Sequence, residues 1–298
     1  VTESGSFDFS ADRAVIDSSL ARLCDRYLVD IPGPVGEAIR YSILGPGKRL
    51  RPILLLQAYR AAGGREDASA IAAALEVVHA YSLVHDDLPC MDDDALRRGR
   101  PTTHRVFGVV VATAAGLAMV PLAARGAYEA ASAIGLPASA AGAIVRELMR
   151  ASGAGGMVGG QLLDLSGERR PLSLGELERI HRAKTAALIA AAARIGGIAA
   201  GTSDDRATAL EAYGWSVGLA FQIADDVLDA TATSDQLGKT AGRDAVLQKS
   251  TYPALLGVDG ASRRAAELAR QARASLRDAG LLTPELDAIA QFSVSRSS

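Results

Sequence analysis

The chain is poor in aromatic residues, 4% of 298 positions, and has one tryptophan. Sheets favour branched and aromatic side chains, so this scarcity, beside abundant alanine and leucine, points to helix. Two cysteines, Cys24 and Cys90, are too few for a disulfide framework or a four-thiolate zinc site, and a reducing compartment, the cytoplasm, is expected. No charge of one sign dominates, since 32 Lys and Arg stand against 34 Asp and Glu. That excludes nucleic-acid binding by bulk charge, which needs a basic field. Val1 to Arg13 is polar and acidic, without an apolar signal core. Charges, Gly or Pro interrupt the Ala-rich stretches before they reach the roughly 20 apolar residues of a membrane helix, so no span is expected. No repeat of fixed period and no low-complexity linker is found.

What is present reads as helix. Apolar residues at helical spacing mark segments 11–28, 36–41, 50–62, 68–88, 103–133, 139–149, 155–165, 174–201, 204–230 and 262–279. No segment has the period of a strand. Ser173 and Glu176 form a candidate capping box, and Pro32, Pro34, Pro46, Pro137 and Pro171 fall between helices. The short loops favour antiparallel neighbours. The expected fold is therefore all-α, one single-domain antiparallel helix bundle over 1–298.

Two acidic runs break the amphipathic pattern, His85-Asp86-Asp87-Leu88-Pro89-Cys90-Met91-Asp92-Asp93-Asp94 and Asp225-Asp226-Val227-Leu228-Asp229. Each follows an apolar stretch, and carboxylates at the end of a buried helix are costly unless a cation neutralises them. Asp225 and Asp229 share a helix face, and Pro89 disturbs the first helix so that the next turn swings Asp92 back toward Asp86. Facing each other, the clusters would form an oxygen-ligand cage with open positions, which suits magnesium completed by substrate phosphates. The alternative is a pair of solvated helix ends.

Cations stand nearby. Gly45-Pro46-Gly47-Lys48-Arg49-Leu50-Arg51-Pro52 opens a helix with a glycine loop, and Arg97-Arg98-Gly99-Arg100 follows the first cluster. Such loops offer N–H groups and charge to phosphate, but the P-loop pattern is missing. His79 lies two turns before Asp86 on the same face. Gly214, Gly218, Gln222, Asp225 and Asp229 form one stripe, and Gly155, Gly156, Gly159 and Gly160 lead into Gln161 and Asp164. Glycines at such spacing allow either close helix packing or a cavity wall, and the two glutamines favour the cavity.

These motifs together resemble those of the trans-prenyltransferases that join isoprenoid diphosphates head to tail. The two acidic runs resemble that family's aspartate-rich motifs. Gly47 to Pro52, Gly159-Gly160-Gln161, His181-Arg182-Ala183-Lys184-Thr185, Leu237-Gly238-Lys239-Thr240-Ala241-Gly242 and Lys249-Ser250-Thr251-Tyr252-Pro253 match in the family's order. The resemblance runs from about Pro34, leaving 1–33 as a variable helical segment, and is nearest to bacterial farnesyl diphosphate synthases. It implies an isoprenoid-synthase helix bundle around a central cavity, a homodimer, and magnesium, three ions per site. It implies that Asp86, Asp92 and Asp225 hold the metal, with Asp87, Asp226 and Asp229 as further candidates. Arg97, Lys184, Gln222, Lys239 and Lys249 would face the allylic diphosphate. Lys48, Arg51, His79 and Arg98 would form the metal-free isopentenyl diphosphate site, and Lys184, Thr185 and Gln222 would stand by the reacting carbons.

Tyr81, five residues before Asp86 and about 7.5 Å back along the helix, is the expected floor that stops the chain at farnesyl diphosphate. Geranylgeranyl diphosphate is the alternative product. A class I terpene cyclase is disfavoured because it does not need Lys48, Arg51 and His79, and its second metal motif usually carries Asn or Ser and Glu. A catalytically dead partner subunit would have lost one aspartate cluster. A non-enzymatic calcium-binding helical protein is the remaining alternative. The tail after Phe292 carries one cation, Arg296.

Overall fold

The computed structural model describes residues 8–31, 33–168, 170–231 and 250–295. Its helices are α1 (Ser10–Tyr27), α2 (Pro34–Ile43), α3 (Leu50–Ala61), α4 (Ser69–Asp86), α5 (Thr103–Phe107), α6 (Val109–Ala133), α7 (Ala138–Ser152), α8 (Met157–Gly167), α9 (Leu174–His181), α10 (Ala187–Ala199), α11 (Asp204–Thr231), α12 (Tyr252–Asp278) and α13 (Pro284–Phe292). A π-helical turn, Arg182–Ala186, joins α9 to α10, and β1 (Leu96–Arg97) pairs antiparallel with β2 (Arg100–Pro101). The all-α, single-domain expectation holds.

Small residues set how close the helices lie. A Cβ on Gly196 would stand 2.6 Å from the Leu55 carbonyl oxygen, so α10 and α3 meet backbone to backbone. Cβ atoms on Gly214 and Gly218 would stand 2.5 Å and 2.7 Å from Cα of Ala190 and Ala186. The glycines of that stripe are thus packing positions against α10 and the π turn, not the cavity wall that the sequence favoured. α4 is covered by α1, α3 and α6, and α10 by α3, α7 and α11. Their buried Ala, Leu and Ile side chains make the main core. Tyr213, fully buried, donates to the Leu286 carbonyl at 2.6 Å and ties α11 to α13.

Other boundaries moved for local reasons. The expected helix over 103–133 breaks at Gly108, whose φ of 84° suits glycine. Segment 155–165 begins its helix only at Met157. The last long helix starts ten residues earlier than expected, at Tyr252, and kinks at Gly257 with φ 71°. The capping box forms as expected, Ser173 Oγ accepting from the Glu176 N–H and the Glu176 carboxylate from the Ser173 N–H. By length and composition α6 is long and apolar enough to cross a membrane, a kind of helix that the sequence reading did not expect. It packs against α2, α4, α5 and α7 and carries Pro121, Arg125 and Glu129.

Candidate active site

α4 ends at Asp86 because Pro89 cannot extend it, and the chain returns in a turn in which the Asp92 N–H donates to the Asp86 carbonyl at 2.9 Å. Asp92 thus comes back beside Asp86, as its spacing required. The following residues form a two-residue hairpin whose loop, Arg98-Gly99, has φ values of 54° and 75°. Positive φ at both central positions is the signature of the turn that suits a twisted hairpin. The hairpin, unread in the sequence, sends consecutive arginines to different partners. Arg97 donates to Asp87 at 3.0 Å and to Asp94 at 3.2 Å, whereas Arg98 donates to the Pro46 carbonyl at 2.7 Å.

Between α3, α4, α8, the π turn and α11 lies a cavity of about 480 Å³. Asp86 and Asp225 line it from opposite clusters, with Arg97, Lys184, Thr185 and Gln222. Lys48, Arg51, His79 and Arg98 line it from the α3 side. Ten residues named from the sequence therefore meet in one place. Asp87 and Asp226 do not line it; they are 3% and 5% exposed beside the lining residues Asp86 and Asp225, and buried Asp229 does not line it either. Asp92 and Tyr81 are also absent from the lining. Lys239 and Lys249 lie outside the described residues.

The basic side is rigid. Arg49, in a left-handed conformation with φ 51°, donates to Asp17 at 2.8 Å, to Glu76 at 3.0 Å and to the Gly45 carbonyl at 2.8 Å. It anchors the loop that carries Lys48 and leads into α3, where Arg51 stands. Arg51 donates to His79 Nε2 across 3.3 Å. Arginine only donates, so this nitrogen accepts and the imidazole is neutral. Burial, helped by Arg51 and Arg98, holds the His79 pKa well below its usual value. Burial also pulls Arg51 down to about 10. Glu76, 2% exposed, also lines the cavity; burial pushes its carboxyl up while Arg49 opposes the shift. Sequence reading missed both Arg49 and Glu76. The available signal was the Glu76–His79 spacing of three, which puts both on one face of α4.

On the other side an ion pair and a hydroxyl–amide–carboxylate chain set the geometry. Lys184 Nζ donates to Asp164 Oδ2 at 2.6 Å, Thr185 Oγ1 to Gln222 Oε1 at 2.9 Å, and Gln222 Nε2 to Asp226 Oδ1 at 3.2 Å. The π turn carries Lys184 and Thr185, and such turns free backbone carbonyls from the regular ladder.

Burial raises Asp86 to about 6, against the pull of Lys184 and with a further push from Asp92. The negative end of the α4 dipole adds to this cost. Such a carboxylate suits a hard divalent cation. Among the described residues, however, no three His, Cys, Asp or Glu groups converge as a ready-made metal site. The expected cage is thus open, and Asp86, Asp92 and Asp225 fit a cation completed by water and substrate oxygens.

A helix bundle with two opposed aspartate motifs and an arginine-rich wall defines a prenyl-transferring class of enzyme. The sequence profile of the polyprenyl synthetase family matches residues 34–279, and the chain belongs to that family. It is 44% identical to the farnesyl diphosphate synthase of Escherichia coli, over 91% of this chain and 93% of that protein. It is 43% identical to geranylgeranyl pyrophosphate synthase 6, mitochondrial, of Arabidopsis thaliana, over 94% of this chain and 86% of that protein. The crystal structure of the geranyltransferase from Helicobacter pylori complexed with magnesium and isoprenyl diphosphate superimposes with TM-score 0.79 at 31% identity, over 98% of this chain and 97% of that one. The chain is a trans-prenyltransferase.

Proposed function

We propose that the enzyme condenses isopentenyl diphosphate with dimethylallyl or geranyl diphosphate and makes mainly farnesyl diphosphate. The observation that carries this reading is that one cavity is lined by Asp86 and Asp225 on one side and by Lys48, Arg51 and Arg98 on the other, which suits two diphosphates held differently. Magnesium held by Asp86, Asp92 and Asp225 would neutralise charge on the allylic diphosphate, and three ions per site is the family-based expectation. Arg97 and Lys184 face the same diphosphate, and Lys239 and Lys249 are assigned to it by resemblance. Lys48, Arg51 and Arg98 hold isopentenyl diphosphate by charge, and neutral His79 orients Arg51.

The allylic C–O bond breaks with both electrons leaving on oxygen. Thr185, Gln222 and the Lys184 carbonyl offer oxygen dipoles to the carbon left positive. The isopentenyl double bond then forms the new C–C bond, and a proton passes to the departed diphosphate. The apolar wall, including Leu83, Met157 and Phe221, keeps water from the cation.

Tyr81 supports the fifteen-carbon product. It is 6% exposed, stands edge-on to His85 with ring centroids 5.7 Å apart, and directly precedes the lining residues Ser82 and Leu83 on α4. Geranylgeranyl diphosphate is the alternative. Chromatography of products from purified enzyme given dimethylallyl and isopentenyl diphosphates tests this. The expected result is farnesyl diphosphate from the parent and a shift to twenty carbons or more in Tyr81→Ala. A parent that makes twenty carbons overturns the product assignment, and no consumption of isopentenyl diphosphate overturns the reaction.

A homodimer is proposed through the α5–α6 face, where Val106, Val110 and Leu117 are exposed. A reducing, cytoplasmic setting is proposed from the free thiols of Cys24 and Cys90.

A further inference from the structure

Among the described residues, Gln161 alone leaves both polar atoms of its side chain buried without a partner. It is 8% exposed and lines the central cavity. Burying an amide with neither end bonded is unfavourable, and exchanging its oxygen and nitrogen by a flip leaves the cost unchanged. Helix packing does not explain it. Gly160 supplies that packing, because a Cβ there would lie 2.2 Å from the Lys184 main-chain nitrogen. The neighbouring residue is thereby pressed against the π turn, and Gln161 is directed into the cavity.

Its place along α8 says what it meets. Met157, one turn earlier, is buried and lines the apolar part of the cavity. Asp164, three residues later, bonds the Lys184 ammonium. Gln161 therefore sits at the junction between a wall suited to hydrocarbon and a wall suited to diphosphate. An allylic diphosphate lying across that junction puts its C–O bond at Gln161.

We propose that Gln161 is a further catalytic residue of the transfer, its amide spanning the bond that breaks. This rests on the prenyl-transfer reading above. When the bond breaks, the electron pair leaves with the diphosphate oxygen and the allyl carbons become positive. The amide carbonyl oxygen faces that carbon and the amide N–H faces the departing oxygen, so one fixed dipole opposes both charges as they form. Both charges are small in the bound substrate and large in the transition state, so the contact speeds the reaction without tightening ground-state binding.

Gln161→Met tests this, because methionine keeps length and approximate volume while removing both polar ends. Steady-state kinetics with geranyl and isopentenyl diphosphates, and thermal melting followed by circular dichroism, are measured on parent and variant. The expected result is a kcat reduced 10- to 100-fold, KM for each substrate within threefold, and a Tm equal to or above that of the parent. A kcat within threefold of the parent overturns the proposal, as does a reduced kcat accompanied by a lower Tm, or a loss confined to KM. Failure of the parent itself to turn over these substrates counts against the reaction rather than against Gln161.

Discussion

The first aspartate cluster straddles the end of α4, whose last residue is Asp86, whereas the second lies inside α11, which continues to Thr231. Both nevertheless divide their labour alike. The first aspartate of each adjacent pair, Asp86 or Asp225, lines the cavity, and the second, Asp87 or Asp226, is buried and does not. The difference lies in what holds the second. Asp87 is held by Arg97, itself a lining residue assigned to the allylic diphosphate. Asp226 is held by the Gln222 amide and by the Tyr252 N–H at 3.1 Å. Both clusters thus share a partner with the cavity, Arg97 or Gln222, but only the second is also fastened to the scaffold, through the Tyr252 N–H.

The largest effect is expected from the cavity-lining pair. Asp86→Ala and Asp225→Ala should each abolish turnover while circular dichroism shows the helices intact, because each removes a cation ligand and not a core contact. Retained activity in either variant would break the equivalence of the two clusters. Smaller losses should follow outside both clusters. Arg51→Ala should weaken isopentenyl diphosphate binding by about 1.5–3 kcal/mol and leave allylic binding nearly unchanged. Calorimetry with each substrate alone measures this, and equal losses would merge the two sites.

Stability should separate the second aspartates. Asp226→Ala strands the Tyr252 N–H and an amide, at a cost of about 1–3 kcal/mol. Asp87→Ala should cost under about 1 kcal/mol, since Arg97 is partly exposed and keeps Asp94, and a buried charge is removed. Denaturant unfolding of both variants is the comparison, and the reverse order would sink the distinction.

The smallest effect concerns pH. Asp86 titrates near 6 when folded, against 3.8 for the ordinary carboxyl. A raised folded pKa stabilises the metal-free protein at low pH, and that contribution is lost as pH rises through this window. Asp86→Asn should therefore flatten the metal-free Tm profile between about pH 4 and 6 relative to the parent. Parallel profiles would argue against the burial that causes the shift.

Much of this comparison was legible in the order of residues. Apolar spacing located most helices, and Pro89 announced the turn that returns Asp92 to Asp86. The two clusters, the lysine–threonine pair and the basic set all met in one cavity. What sequence left hidden depended on tertiary approach. Nothing local distinguishes a glycine against a ligand from Gly214 against Ala190. The hairpin at Arg98-Gly99 is too short for strand periodicity, and α13 carried too few residues for a secure helical pattern. Arg49 and Glu76 were readable as charges, but their pairing across 27 residues was not.

The π turn at Arg182–Ala186 makes the reading frame of the helix matter as much as its composition. Its wide loop closes with the Ala187 N–H on the Arg182 carbonyl, one residue more than an ordinary turn holds. Deleting a single residue there, such as Ala183, would restore a regular helix and preserve every functional side chain. It would also turn the two sides of the deletion by about 100° relative to each other, parting Lys184 and Thr185 from α9. The length of this segment is thus a constraint separate from its composition, and the loss of one codon is expected to remove the activity from a protein that still folds.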